Sequence, residues 1–474
     1  MAGSGRHDAS FPLEEYNSDR ERRVLLKGGT IISMDSDVGN FAAGDVLIEG
    51  SHIAAVAAEI HADVPVIDAS RMIVMPGFCD PHIHCWQGNL SRIIGNQLGD
   101  HSDKANPTEA EMGQNYHFVM HQTFSRLYQP EDIYAGTLMS LVAAMNGGIT
   151  TVCDNAHNSR SPDHSDASIQ ALIDCGIRGI HAYGRAKFED DHTRYPDDIY
   201  RLKRDYFASE DQLLSLRLWV HGNETPERFA EVLDVRQAMD CWISIDGPPD
   251  NKPIKELYDS GRLDGRESFN HGNRMTPSQM EAVVSHGGTV NVCPRIESQF
   301  RFGDIPYQAW RDLGLKPAIS NDDPATYSIN MFQEMRTLYS HQRAAIFRDH
   351  AAGKGRLENL LTQAEVLEAA TLRGAACCGL LDKVGSLTPG KQADIVLLDS
   401  DNLQLFPKHN VFCTAVQGGD VAYVDSVFIA GKLVKQGGRM VAVDIERLKR
   451  LVEQSRDRLF EAAGWTRPKI DFGD

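Results

Sequence analysis

No run of about 20 consecutive apolar residues occurs in this chain, so no transmembrane helix is expected. The first residues, MAGSGRHDASFPLEEYNSDRERR, contain no apolar core of the kind a secretory signal needs, so the protein is expected in the cytoplasm. Residues 1–22 read as a flexible arm. No cluster of Lys and Arg interrupts an overall charge of −18, which argues against a nucleic-acid partner and for a small-molecule one. No Cys-x-x-Cys pair occurs among the nine cysteines, so a thiolate zinc site is not expected. Their odd number and scattered spacing read as reduced thiols. No Gly-x-Gly-x-x-Gly follows an early strand, which weakens the case for a doubly wound dinucleotide-binding sheet. Low-complexity segments and solenoid repeats are missing as well.

What is present is a change of pattern along the chain. Residues 23–34 read as a strand, a turn and a strand, and residues 44–57 as a β-hairpin around Glu49-Gly50-Ser51. The same style returns at 393–399 and 421–441. Between them, strand-like and helix-like runs alternate. The strands are Phe78–His84, Ile149–Asp154, Ile177–Tyr183, Leu214–Val220, Cys241–Ile245, Ser268–His271, Thr289–Cys293 and Lys316–Ser320. Helical runs at 130–148, 165–176, 225–239 and 276–288 begin at Ser165, Thr225 and Thr276 and stop at glycines. Eight strand–helix repeats predict an α/β fold, a (β/α)8 TIM barrel over 75–384. The β-rich ends, 23–74 and 385–441, are expected to meet in one small β-sandwich domain. An amphipathic helix and tail over 442–474 close the chain, packed on the surface.

Reactive groups of a TIM barrel lie at the C-terminal ends of its strands. Those ends carry His82 and His84, Asp154, His181 and Tyr183, His221, Asp246, His271 and Asp322. His82 and His84 are two apart on one strand, so their side chains share a face and can grip one metal ion. Asp322, on the last strand, can supply a carboxylate oxygen across the mouth. Trp86 either stacks on a substrate ring or fills the core. His181 and Tyr183 either line the pocket or pack at the rim, and His157 and His164 lie in a loop. His117 and His121, four apart, read as one face of a helix. Arg295 and Glu297 follow strand seven. They suit either carboxylate recognition or an internal ion pair. Cys85 points away from the His82–His84 face.

The ordered motifs MPGFCDPHIH (75–84), GGITTVCDNAHN (147–158), GIRGIHAYG (176–184), SFNHGN (268–273), GGTVNVCPRIES (287–298), AISNDDPATYSINMFQEMR (318–336) and GSLTPGKQADIVLLD (385–399) resemble the amidohydrolase superfamily, in its cytosine-deaminase-like and triazine-hydrolase-like branch. The resemblance spans about Val24 to Val441. It implies a barrel with a β-sandwich from both ends, a dimer, and Zn2+ or another divalent metal. It makes His82, His84 and Asp322 metal ligands, with Asp322 also shuttling protons, and it places His271 against substrate or water. The implied chemistry is attack of metal-bound hydroxide on an sp2 carbon of a cyclic or aromatic small molecule, with loss of ammonia or another leaving group.

One departure stands out. The third histidine ligand of strand five is missing from CWISIDGPPD (241–250), where Ile245 aligns with the ligand place. The glutamate that many deaminases carry shortly afterwards is missing too, and Asp250 is the one acid nearby. Asp246 or His221 is expected to replace the lost ligand. The alternatives are a metal-free lyase, decarboxylase, isomerase or cyclase using His271 and Asp322, and a ligand-binding barrel without activity.

Overall fold

The computed structural model describes residues 11–95, 114–186, 194–247, 249, 252–300, 302–354 and 356–466. Strands β1 (Arg23–Ile31), β2 (Phe41–Glu49), β3 (His52–Ala57), β4 (Val66–Asp68) and β5 (Met72–Pro76) come from the N-terminal end. The barrel strands are β6 (Phe78–Ile83), β7 (Ile149–Ala156), β8 (Arg178–Tyr183), β9 (Leu214–His221), β10 (Ile243–Asp246), β11 (Glu267–Asn270), β12 (Thr289–Val292) and β13 (Ala318–Ile319). From the C-terminal end come β14 (Ile395–Asp399), β15 (Val424–Ile429), β16 (Lys432–Gln436) and β17 (Arg439–Met440).

Strands β6 to β13 pair in parallel in chain order, and a parallel bridge between Ile83 and Asp322 closes the ring. This is the expected TIM barrel. The other nine strands form one mixed sheet in which β14 lies beside β5, so the two chain ends do meet. Val24, Leu26, Val46 and Ile48 from one end share an apolar cluster with Ile395, Leu397, Phe428 and Leu433 from the other.

A single residue, Gly77, separates β5 of this sheet from β6 of the barrel. A Cβ there would lie 2.2 Å from Thr150 Oγ1, so only glycine lets the strands pass so closely. The barrel's outer layer is apolar, with Leu218, Val220, Ile243, Ile245 and Phe269 packed beneath the surrounding helices.

Three local expectations are corrected. Residues 23–31 form one strand with an irregularity at Gly29, because Leu26 and Ile31 both pair with β2, on either side of the expected turn. The second long helix begins at Pro162, with Ser161 at its N-cap position but making no side-chain capping bond, and Ser165 lies buried within its first turn. Proline at the first helical position displaces no hydrogen bond there, which moves the start three residues earlier than the capping pattern indicates. Residues 11–22 are also no free arm. Leu13–Ser18 is helical, Tyr16 is buried and its hydroxyl donates to the Gly431 carbonyl at 2.7 Å. Asn17 exchanges two hydrogen bonds with the backbone of Leu433, as an added strand would.

Thr225 and Thr276 cap their helices as read, each accepting from a backbone N–H three residues on. The C-terminal helix spans Ile445–Ala463. Its Ser455 hydroxyl contacts Asn89 and Asp132, which brings it against the turn following β6. No helix among the described residues is long and apolar enough to cross a membrane.

Candidate active site

Side chains alternate in and out along each barrel strand. Inward positions of β6 are Asp80 and His82, with His84 one residue past its end, and all three are buried. Asp322 pairs directly with that segment: its N–H donates to the His82 carbonyl at 2.8 Å, and its carbonyl accepts from the His84 N–H at 2.9 Å. The ring closure therefore sets the last-strand aspartate against the two first-strand histidines. Asp322 and His271 both have left-handed backbone, with φ of 64° and 74°. Such a conformation costs a non-glycine residue about 1–3 kcal/mol and persists only where neighbours enforce it. The backbone bonds of Asp322, and a 2.8 Å bond from the His271 N–H to the Asn291 carbonyl, do so here.

Five side chains converge at the mouth. Nε2 of His82 and Nε2 of His84 each lie 3.2 Å from Asp322 Oδ1. Asp246 Oδ1 is 3.8 Å from His82 Nε2, and its Oδ2 is 3.7 Å from His84 Nε2. His271 Nε2 completes the cluster, 3.5 Å from Asp246 and 3.4 Å from Asp322. Ligand atoms of His82, His84 and Asp246 all lie within 4.8 Å of one another, and so do those of His82, His271, Cys293 and Asp322.

Asp246, and not Ile245, stands in the strand-five place. Ile245 is buried among Leu218, Val220 and Phe269 on the outer, helix-facing side. A one-residue shift in reading a strand moves every side chain to the other face.

The imidazoles are held from behind. His84 Nδ1 faces the Asn155 carbonyl at 3.4 Å, and His271 Nδ1 faces Glu297 Oε1 at 3.3 Å. His82 Nδ1 meets the side-chain amides of Asn155 and Asn270, the latter at 2.5 Å. Both approaches are made by amide nitrogen, and Asn270 Oδ1 already accepts from Asn291 Nδ2; the Asn155 amide turned by half a turn would present oxygen to Nδ1–H and leave the Nε2 lone pair to the cluster.

The charges are strongly coupled. Burial pushes the Asp246 carboxyl up, but His82, His84, His271 and His221 pull harder and bring it down to about 2. Asp322 falls well below the carboxylate range for the same reason, with burial opposing His82, His84 and His271. Burial lowers His271, yet Glu297, Asp322 and Asp246 outweigh it and raise it to about 9. Asp323, next to the cluster, rises to about 7 through burial and the charge of Asp322.

The other sequence candidates divide. His157 stacks on Trp219 at 5.0 Å and meets His84 at 4.4 Å and Trp86 at 5.5 Å, so it and Trp86 wall the site. His121 joins them at 5.3 Å from His157, on a π-helical stretch, His117–Phe124. His221 packs on Trp219 beside Gly247 but belongs to neither group of convergent ligand atoms.

Two candidates point away from the pocket, and this corrects the expectation. His181 faces Ser168 of the neighbouring helix, and Tyr183 packs on Tyr195 in the outer layer. They are the outward residues of β8, by the same alternation that misplaced Ile245. Burial drives His181 down to about 3, so it is neutral there. Asp154, its neighbour across the pair, likewise bonds Ser168. Arg295 is committed to Glu334, Asn321 and Gln333 and is not available to a carboxylate ligand. Its acidic partner is Glu334, since Glu297 turns to His271 instead. His164 bridges Ser161 and the Tyr128 carbonyl. Asp250 lies outside the described residues.

Asn155, Asn270, Cys293, Trp219 and Phe302 were not singled out from the sequence. Strand parity places Asn155 and Asn270 inward, two residues from inward Cys153 and Ser268. Phe302, 5.1 Å from the His271 ring, comes from a loop that carries no such signal.

Comparisons with known proteins fit this geometry. The family model of the amidohydrolase family matches residues 73–434. A 5-methylthioadenosine/S-adenosylhomocysteine deaminase of Thermoanaerobacter pseudethanolicus is 23% identical over 460 residues, covering 92% of this chain and 99% of that protein. Its namesake from Pyrococcus furiosus is 25% identical, covering 90% and 98%. Among solved structures, a zinc-bound adenosine deaminase of Xanthomonas campestris superposes with a TM-score of 0.75 at 22% identity, covering 92% and 98%. A zinc complex of atrazine chlorohydrolase from Arthrobacter aurescens gives 0.77 at 21%, covering 91% and 100%.

Proposed function

Because this chain belongs to the amidohydrolase family, we propose that it is a metal-dependent hydrolase cleaving a C–N bond of a cyclic or aromatic small molecule. The observation behind this reading is the convergence of His82, His84, His271, Asp246 and Asp322 on one point at the barrel mouth. The donors fit zinc, which takes imidazole nitrogen and carboxylate oxygen. His82 Nε2, buried 3.2 Å from Asp322 Oδ1, makes no well-aligned hydrogen bond among the described residues. His82, His84, Asp246 and Asp322 would hold the ion. Zinc, when bound, supplies Lewis acidity that lowers the pKa of a water in its coordination sphere to about 7.

Asp322 then has two tasks. One oxygen faces both first-strand histidines, and the other, near His271, takes the proton of the attacking water and returns it to the departing nitrogen. His271 Nε2 stabilises charge that develops on the substrate. Trp86 and His157 supply flat walls for a substrate ring. The proposed setting is the cytoplasm, where nine free cysteines, seven of them buried, stay reduced, and the proposed assembly is a dimer.

Zinc-loaded protein is tested by ammonia release from adenosine, 5'-methylthioadenosine and S-adenosylhomocysteine, the compounds after which the similar deaminases are named. Release is expected with at least one of them, and Asp322→Asn is expected to lower kcat by about 10²–10⁴-fold. Metal content below about a tenth of an equivalent, with release unaffected by chelators, would rule the reading out.

A further inference from the structure

We propose that Glu297 is a positioning residue that holds the His271 ring with Nε2 turned onto Asp246 and Asp322. The proposal rests on the metal-site reading above, but it concerns the opposite edge of the ring. Glu297 ends the short helix Pro294–Glu297 after β12, and it is 1% exposed. Its Oε1 accepts from the Cys293 N–H at 3.0 Å and faces His271 Nδ1 at 3.3 Å. Its Oε2 is buried without a hydrogen-bond partner among the described residues. A neutral Ser or Asn would accept from the Cys293 N–H as well, without the penalty of burying a carboxylate. The imidazole is what accounts for the charge.

His271 needs such a hold. Asp246 and Asp322 meet the Nε2 edge at 3.5 and 3.4 Å, while the rings of Phe302 at 5.1 Å and His82 at 5.3 Å distinguish neither edge; Glu297 is the acceptor that marks the Nδ1 edge. A half-turn of the ring would put Cδ2 against Glu297 and replace Nε2 by Cε1 at the two carboxylates. The Nδ1–Glu297 bond selects against that half-turn. It therefore keeps Asp246 Oδ1 and Asp322 Oδ2 paired with a nitrogen.

The test is zinc affinity, read by competition with a chromophoric chelator, in the wild-type chain, E297A, E297Q, H271A and the double variant E297A/H271A. E297A is expected to weaken zinc binding about tenfold, because His271 is the outer partner of the Asp246 and Asp322 carboxylates, contacts worth about 10–100-fold, and E297A frees that ring to turn. E297Q, whose amide oxygen can accept both bonds, is expected to stay within about threefold of wild type. Adding E297A to H271A is expected to change affinity by less than about twofold, because the contact it removes is already gone. Wild-type affinity in E297A overturns the proposal. So does an equal loss in both backgrounds, which would assign the effect to the Cys293 turn.

A second readout needs no metal. A hydrogen-bonded Nδ1–H resonance of His271, present in wild type and E297Q and lost in E297A, supports the proposal, and its persistence in E297A overturns it. If the wild-type chain binds no zinc, the metal-site reading fails, and this resonance alone decides.

Discussion

Asp246 and Ile245 are adjacent on β10 yet lie on opposite sides of the barrel wall. Asp246 faces three imidazoles, while Ile245 is fully buried in the helix layer. Substitutions at the two positions should therefore separate cleanly. Ile245→His is expected to destabilise the fold by about 2–4 kcal/mol, by losing packing and burying a polar ring. Zinc uptake should be unchanged. Asp246→Ala is expected to weaken zinc binding by more than about a hundredfold, since it removes a ligand outright. Asp246→His, which restores the family's residue type, should keep uptake. Thermal unfolding together with zinc titration checks all three, and altered zinc affinity in Ile245→His would sink the assignment. His82, His84, His271 and Asp322 were legible because motif and strand end coincide. Ile245 was misread because sequence marks where a strand ends less sharply than which residues it contains, and His181 and Tyr183 because a strand buried on both faces has no alternation to tell inward from outward. One residue of error exchanges pocket for wall.

At the scale of elements, the turn Cys85–Leu90 and the helix Pro130–Asn146 touch through two glycines. A Cβ on Gly136 would lie 2.1 Å from the Trp86 carbonyl oxygen, and one on Gly88 would lie 2.3 Å from the Gly136 carbonyl oxygen. Both obstacles are backbone, so neither moves as a flexible side chain would. Two effects compete in Gly136→Ala. Helix propensity favours alanine in a helix interior by about 1 kcal/mol. Overpacking against rigid backbone costs about 1–3 kcal/mol, and the 2.1 Å approach puts this site at the upper end. The variant is expected to be less stable by about 1–2 kcal/mol and to displace Trp86, seen as a change in its fluorescence. A variant as stable as wild type, or more so, would show that helix and turn are not packed this tightly. The eight strands were legible as elements because they recur in order between helix-like runs that stop at glycine. This crossing was not, because a glycine in a helix pattern reads as tolerated and its neighbour in space is more than forty residues away.

For the whole molecule, the question is how the mixed sheet is fastened to the barrel. An apolar cluster joins Ile73, Val396, Leu398 and Val427 of the sheet to Phe78, Leu141 and Ile149 of the barrel, and two polar fastenings flank it. Arg178, opening β8, forms a buried two-point ion pair with Asp394, whose Oδ1 also accepts from the Ala430 N–H. Lys435 on β16 reaches the Asn146 carbonyl, at the end of a barrel helix, at 2.7 Å. That the two chain ends would meet was legible from their shared composition. These fastenings were not, because lone cations in β-rich sequence ordinarily read as solvated.

Burial lowers the Lys435 ammonium to about 8, with the Asp425 charge opposing. Below pH 8 both the folded and unfolded chains carry the proton, and this group adds no pH dependence. Between pH 8 and about 10.4, the ordinary lysine value, the unfolded chain keeps the proton and the folded chain has lost it. The unfolded state then binds more protons, so the Lys435 contribution to stability rises with pH across that window. Urea unfolding of wild type and Lys435→Met at pH 7.5 and 10.5 checks this. Other titrating groups cancel between the two proteins. The difference is expected to move in favour of wild type by about 2–3 kcal/mol as the pH rises. A difference that stays flat would mean the ammonium is solvated in the folded protein and the barrel–sheet junction is open to water at that corner.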